Sequence, residues 1–132
     1  MSIKALLTRI LNFVSSTYYD YTAGIITAGS GFTISSQGIV QTGNVVKVRF
    51  RLQKSDSTAF TQGRTSSVCT VSSNYAPYGV ECSVITPASN AIGSYMNRYC
   101  AFCINTDGTC YVDAHNASDI KMIYVHAVYV IK

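Results

Sequence analysis

Residues 46–52 read VKVRFRL, and this stretch decides the fold. Every second residue is apolar, and the residues between them are Lys47, Arg49 and Arg51. A period of two is that of a β-strand, because successive side chains of a strand point to opposite faces. The stretch therefore predicts a strand with one buried face and one polar face.

Similar short runs of β-branched and aromatic residues continue to the C-terminus, separated by Gly, Asn, Asp and Ser. Further strands are predicted over 22–28, 32–36, 66–71 and 79–86. Residues 105–108 read NTDG between two such runs, and Asp-Gly in this position predicts a tight hairpin turn. Together the runs give about eight strands, which predicts an all-β antiparallel sandwich.

The composition favours one domain with a largely neutral surface. A chain of 132 residues is long enough for one hydrophobic core and too short for two. Charged residues make up only 12%, about half the usual share. Ser, Thr, Asn, Gln, Gly and Tyr replace them, as is typical of surfaces that meet uncharged partners such as saccharides. The net charge of +4 comes from scattered Lys and Arg, so no nucleic-acid partner is expected.

The first 14 residues carry apolar residues at heptad spacing, which predicts a short amphipathic helix ahead of a sandwich domain over 15–132. The seam consists of Ile3, Leu7, Ile10 and Val14. A helix of this length is marginal in water by itself. Its apolar stripe therefore packs either on the body of its own domain or on copies of itself in a dimer or trimer, and the sequence leaves both open.

This N-terminal stretch is not expected to be a secretory signal. Arg9 interrupts its apolar run, and no small-residue cleavage site follows cleanly. Nowhere do about 18 apolar residues run together, as a transmembrane helix requires. We expect a soluble chain without membrane insertion.

The last segment, residues 120–131, reads IKMIYVHAVYVI and does not alternate. Apolar residues occupy both parities, so both faces of this strand are predicted to be buried. An antiparallel sheet normally leaves one face to water, so something must cover the second face. A subunit interface is one cover, and a second sheet or a loop of the same chain is the other.

Catalytic motifs are missing from the sequence. The chain has two histidines and six acids, and it contains no G-x-S-x-G, H-E-x-x-H, P-loop or G-x-G-x-x-G motif. A glycosidase needs two carboxylates that flank the bond, and no such pair is evident among so few acids. We therefore expect no enzymatic activity and no cofactor.

Five cysteines, an odd number, lie in strand-like segments, which predicts buried, reduced thiols in a chain made in the cytosol. Cys100 and Cys103 form a C-x-x-C that, with Cys110 and His115 downstream, raises the possibility of a zinc site. In a strand, however, residues i and i+3 point to opposite faces and do not reach one ion. No metal is expected.

Two polar segments, residues 95–99 and 113–119, are candidates for ligand contacts. Their side chains hydrogen-bond readily to sugar hydroxyls, although such residues also populate ordinary turns. The predicted ligand-binding residues are Tyr95, Asn97, Arg98, Asp113, His115 and Asn116. The basic stripe of Lys47, Arg49 and Arg51 meets an anionic polymer in one interpretation and is a solvated strand face in the other.

Four segments occur in a familiar order: GNVVKVRFR at 43–51, VCTVSSNYAP at 68–77, INTDGTC at 104–110, and the closing strand at 120–131. In this order they resemble the C-terminal head domains of phage tail fibres and lower-baseplate receptor-binding proteins. The likeness covers about residues 40–131. One departure is Val71-Ser72, where many relatives have Leu-Pro.

The resemblance implies a jelly-roll-like sandwich and a homotrimer that attaches non-covalently to host cell-wall saccharide. It also implies synthesis in the bacterial cytoplasm, a place at the tail tip of the virion, and contact with other phage tail proteins through the N-terminus. No saccharide-binding residue is carried over. The alternative is a purely structural trimeric tail, baseplate or prophage accessory protein without a glycan ligand.

Overall fold

The computed structural model describes residues 1–15, 17–20, 24–89, 99–114 and 119–131. Within these ranges one helix precedes nine strands. The predicted all-β sandwich behind a short N-terminal helix is confirmed. The elements in chain order are α1 (Ile3–Ser15), β1 (Thr17–Asp20), β2 (Ile26–Ala28), β3 (Phe32–Thr42), β4 (Val45–Lys54), β5 (Gly63–Val71), a 3-10 turn (Ser73–Tyr75), β6 (Glu81–Ser89), β7 (Tyr99–Ile104), β8 (Thr109–Ala114) and β9 (Met122–Val130).

The strands form two antiparallel sheets that share one strand. Sheet A has the order β1-β3-β4-β9, and sheet B has the order β6-β7-β8-β5-β2. Residues 81–87 of β6 pair with β7, whereas Ala88 and Ser89 at its end pair with β9. Strand β6 therefore takes part in both sheets and joins them.

The hydrophobic core lies between the two sheets. On β4, the alternate residues Val46, Val48 and Leu52 are 0% exposed, whereas Lys47, Arg49 and Arg51 face outward. Phe50 of sheet A meets Phe102 of sheet B edge to face, with 5.5 Å between the ring centroids. The predicted burial of one face of β4 is confirmed, and each such side chain contributes ~1.5–3 kcal/mol of transfer free energy.

The predicted hairpin turn joins β7 to β8. The Gly108 amide donates to the Asn105 carbonyl at 2.9 Å, and Oδ1 of Asp107 accepts hydrogen bonds from the hydroxyl and the amide of Thr109. These two bonds hold the pKa of the Asp107 carboxyl below its usual value. Gly108 adopts a φ of 86°, and a Cβ there would overlap the carbonyl oxygen of Val71, so the turn requires glycine.

A β-bulge interrupts the pairing of β3 with β4. Two residues, Ser36 and Gln37, stand opposite Phe50 alone, and Ser36 takes the left-handed conformation with a φ of 54°. Oε1 of Gln37 accepts a hydrogen bond from the Ile26 amide at 3.2 Å. The bulge thus ties sheet A to β2, the edge strand of sheet B.

Helix α1 begins after Ser2, whose hydroxyl accepts a hydrogen bond from the Ala5 amide at 3.1 Å, as an N-cap does. Its apolar residues Ile3, Leu6 and Leu7 are 78%, 49% and 53% exposed. The chain's own domain therefore leaves this part of the stripe uncovered. The seam residues Ile10 and Val14 belong to α1, but their side chains lie outside the described part.

The described residues include no helix long and apolar enough to cross a membrane.

Candidate binding groove on the outer face of sheet A

Two arginines of β4 lie beside a histidine and a tyrosine of β9 on the outer face of sheet A. The register pairs Arg49 with His126 and Arg51 with Tyr124. Arg49 and Arg51 are two residues apart in one strand, so their Cα atoms are about 7 Å apart. Four side chains from two adjacent strands thus project from one small area.

Both pairs, Arg49–His126 and Arg51–Tyr124, are non-hydrogen-bonded pairs of the antiparallel ladder. The amide of Ile131 donates to the Asn44 carbonyl at 2.8 Å, which makes that pair hydrogen-bonded, and the register continues from it without a break. Alternation along an antiparallel ladder then makes every outer-face pair of β4 and β9 a non-hydrogen-bonded pair. In such pairs the Cα atoms approach to about 4.5 Å, which brings the side chains together.

A groove with a volume of about 320 Å³ runs between these side chains. It is lined by Ser36, Arg49, Phe50, Arg51, Tyr124 and His126. The guanidinium carbon of Arg51 lies 5.6 Å from the centroid of the Tyr124 ring, a cation-π contact that positions the side chain. Tyr124 is only 5% exposed, so its ring is held in place beneath the Arg51 guanidinium group.

The groove offers hydrogen-bond donors and positive charge. Two guanidinium groups donate without accepting, and an imidazole and a serine hydroxyl add to them. No carboxylate is among its described lining residues. A second hollow of about 110 Å³ shares Arg49 and extends toward Gly38, Val40 and Lys47. The arrangement is suited to holding an acceptor-rich molecule along the stripe, and it supplies no acid–base pair for bond cleavage.

The β9 half of the outer face divides into a covered and an open part. Met122 and Tyr124 are 3% and 5% exposed within the single chain, whereas Val128 and Val130 are 59% and 48% exposed. The prediction that both faces of β9 are covered therefore has to be assessed separately for the two parts of the strand. The chain itself buries the first part, and the second part has no described cover.

Around the open part lies an apolar patch, formed by Val45, Tyr78, Val128 and Val130. Val45 pairs with Val130 across the ladder, and the Tyr78 amide donates to the Val130 carbonyl at 2.8 Å. Val45 is 41% and Tyr78 is 69% exposed. Contiguous apolar surface of this kind on a sheet face marks an interaction site more often than isolated apolar residues do.

Of the six ligand-binding residues predicted from the sequence, Asp113 alone falls within the described residues. Tyr95, Asn97, Arg98, His115 and Asn116 lie outside them. Asp113 is on β8 of sheet B, so it does not belong to the groove on sheet A.

Asp113 stands opposite Arg64 of β5. Its Oδ1 is buried and accepts no hydrogen bond from the described residues. The guanidinium carbon of Arg64 instead lies 3.7 Å from the ring centroid of Tyr111. Arg64 and Tyr111 line a hollow of about 250 Å³. The other lining residues are Ser66, Ser67, Asn105, Thr109 and Cys110. Arg64 thus lies over the Tyr111 ring as Arg51 lies over the Tyr124 ring in the sheet A groove.

The prediction of buried, reduced thiols is confirmed for Cys69, Cys100, Cys103 and Cys110, while the side chain of Cys82 lies outside the described part. A hydrogen bond with Cys110, together with burial, raises the pKa of the Cys69 thiol well above its usual value. Burial, with a smaller contribution from Asp113, raises the pKa of Cys100 to about 11. These groups are thiols and not thiolates at neutral pH, so they are poor nucleophiles and metal ligands.

Across the described residues, no three His, Cys, Asp or Glu side chains are grouped so that they could hold a metal ion.

No protein-family model matches the chain, and a search of curated proteins finds no relative.

Proposed function

We propose that this chain is a receptor-binding head domain of a phage tail, a homotrimer that binds host cell-surface saccharide without cleaving it. The observation that carries the proposal is the pair of uncovered apolar surfaces, on α1 and on sheet A, with a donor-rich groove beside the second. The order of the four sequence segments that resemble phage head domains adds support.

The uncovered surfaces favour assembly with further copies of the same chain. A 13-residue helix is marginal in isolation, and parallel copies of α1 would bury Ile3 and Leu7 in one seam. The apolar patch provides a second contact. Its valines are 41–59% exposed, so burying the rest of each gains roughly half of the ~1.5–3 kcal/mol of a fully exposed apolar side chain. Identical chains that meet head to tail close into a ring when the rotation between neighbours is a whole fraction of a turn, and three copies is the number that the resemblance implies.

The groove supports saccharide binding. Sugars present many hydroxyl acceptors, and the groove presents the guanidinium donors of Arg49 and Arg51. Val128 follows His126 by two residues on the same face of β9, so the groove opens at the edge of the apolar patch. In the proposed trimer the saccharide therefore binds close to the boundary between subunits.

The proposed place of the chain is the tail tip of the virion, with the N-terminal helix directed toward other tail proteins. Synthesis in the bacterial cytoplasm is consistent with four free, buried thiols.

Two measurements test the proposal. Light scattering at micromolar concentration should give three times the chain mass of 14.3 kDa, and a clean monomer would contradict it. Fluorescently labelled protein should adsorb to purified wall polysaccharide from a susceptible strain in a panel of bacteria. The polysaccharide should keep its length. Its depolymerisation would show that the chain is an enzyme and would contradict the proposal of binding without cleavage.

The second candidate is a purely structural trimeric tail or baseplate protein, or a prophage accessory protein. The exposure of Tyr78 at 69% and Val80 at 56%, close to one another in the chain, favours further protein contacts. A trimer that adsorbs to none of the polysaccharides but co-purifies with assembled tails would favour this candidate.

A further inference from the structure

The sheet A groove gathers more positive charge than a neutral sugar needs. Arg49 and Arg51 are about 7 Å apart on one strand, and His126 lies directly across from Arg49. Like charges at this separation repel one another. With no carboxylate among the described lining residues, the groove itself provides no counter-charge.

We infer that this groove binds a phosphate group carried by the saccharide, with Arg49 and Arg51 as its principal donors. The inference rests on the proposed saccharide binding and specifies the chemical class of the ligand. A phosphate between the two guanidinium groups removes their repulsion and accepts hydrogen bonds from both. Charge-assisted hydrogen bonds of this kind are roughly twice as strong as neutral ones.

The number of donors favours phosphate over carboxylate. A carboxylate has two oxygens and matches the fork of one guanidinium. The groove presents two guanidinium groups, the His126 ring and the Ser36 hydroxyl from different sides. The acceptor sites of a carboxylate lie close to one plane, whereas the oxygens of a phosphate point in tetrahedral directions and accept from donors on several sides. Arg51 is held over the Tyr124 ring, so part of the ordering cost is met before the ligand arrives.

The ligand's sugar ring also has a surface to contact. The hollow that shares Arg49 continues past Gly38 and Val40, where the missing side chain of glycine leaves room beside the strand. Lys47 lies at the far end of this hollow. A chain of sugar phosphates would therefore follow the stripe from Arg51 toward Lys47.

The test titrates the full chain with three probes at low ionic strength, namely glucose 1-phosphate, glucuronate and glucose, and follows binding by calorimetry and by amide NMR shifts. Glucose 1-phosphate is expected to bind at least about tenfold more tightly than the other two and to shift resonances of β4 and β9. Binding should weaken as salt is raised, because the contact is ionic and partly exposed. Equal affinity for glucose would overturn the inference, as would equal affinity for glucuronate.

Matched variants separate the groove from net charge. Arg49→Gln and Arg51→Gln should each weaken glucose 1-phosphate binding by about tenfold, whereas Arg64→Gln should not change it. The Arg64→Gln variant removes the same charge from a similar arginine–tyrosine contact, but this contact lies on sheet B. An equal loss in all three variants would mean attraction to net charge alone and would overturn the inference. Thermal unfolding verifies that each variant is folded.

The outcomes also separate this inference from the proposed function. A trimer that adsorbs to wall polysaccharide but binds glucose 1-phosphate no better than glucose would support the proposed function and contradict the inference of phosphate binding. A monomer whose groove binds glucose 1-phosphate through Arg49 and Arg51 supports the groove and rejects the trimeric head.

Discussion

The inner and outer faces of the β4–β9 ribbon share one backbone and differ in every other respect. Inner residues such as Val48 and Ala127 are 0% exposed and pack in the core. The outer positions hold arginines, a histidine, a buried tyrosine and exposed valines. Any apolar set of the right volume would serve the inner face. The outer face, by contrast, combines charge and apolar surface in a way that folding does not require. The outer face is therefore the candidate functional surface.

The largest expected effect is on the inner face. Leu52→Ala removes a fully buried side chain from β4 and leaves a cavity, so the free energy of unfolding should fall by ~2–5 kcal/mol. Arg51→Ala, at the neighbouring outer position, should change it by no more than ~0.5 kcal/mol. Denaturant unfolding at one fixed protein concentration measures both. Similar losses at the two positions would remove the distinction between the faces.

The next effect concerns assembly. Val130→Asp places a charge in the apolar patch opposite Val45, where burial against a second copy would leave it unpaired. The dissociation constant of the oligomer should rise at least about a hundredfold, or ~2.7 kcal/mol. Sedimentation measures this change. Lys47→Ser, at the position paired with Val128, is the control and should keep the oligomer. An intact oligomer with Asp at position 130 would place the interface elsewhere.

High pH should weaken the core between the two sheets. Burial raises the pKa of Cys100 from 9.0 to about 11, so the folded state disfavours its thiolate. The resulting stability is fully present below pH 9 and is lost as the pH rises from 9 to 11. The pKa values of Cys69 and Tyr129 are raised too, so they act in the same direction.

Urea midpoints measured between pH 7 and pH 11 test this dependence. They should be level at first and then fall, and the fall should be smaller in Cys100→Ala. Midpoints that stay level to pH 11 would contradict the burial of these groups.

The smallest expected effect concerns one buried polar contact. The Tyr129 hydroxyl donates to the Tyr75 carbonyl at 2.8 Å, and the Tyr75 hydroxyl donates to Oδ2 of Asp20 at 3.1 Å. Tyr129→Phe should lower the free energy of unfolding by ~1 kcal/mol, because the Tyr75 carbonyl loses this donor. Tyr19→Phe is the control, since Tyr19 is 60% exposed and should have no effect. Thermal or urea unfolding resolves a difference of this size.

The sequence predicted those elements whose pattern is local. The alternation over residues 46–52 was sufficient for β4 because each face of that strand has one environment. The Asp-Gly pair was sufficient for the β7–β8 turn because only a few residue types adopt a positive φ there. The C-x-x-C was correctly interpreted as a pair of buried thiols, because strand geometry separates its two side chains.

The sequence did not predict what depends on distant pairing. The stripe identified Arg49 and Arg51, but their neighbours Tyr124 and His126 come from β9, and only the register brings them together. The apolar residues of β9 did not reveal which of them the same chain covers. Ser36 reaches the groove through a bulge, and serine at a φ of 54° gives no sequence signal.

The bulge at Ser36 and Gln37 has a consequence for how such a surface diversifies. The ladder absorbs one extra residue there, and the regular pairing of β3 with β4 resumes at Gly38. Changes of chain length at this point would therefore alter the floor of the groove and leave the register on both sides intact. Insertion and deletion, and not substitution alone, are thus open to this chain as routes to a groove of different shape.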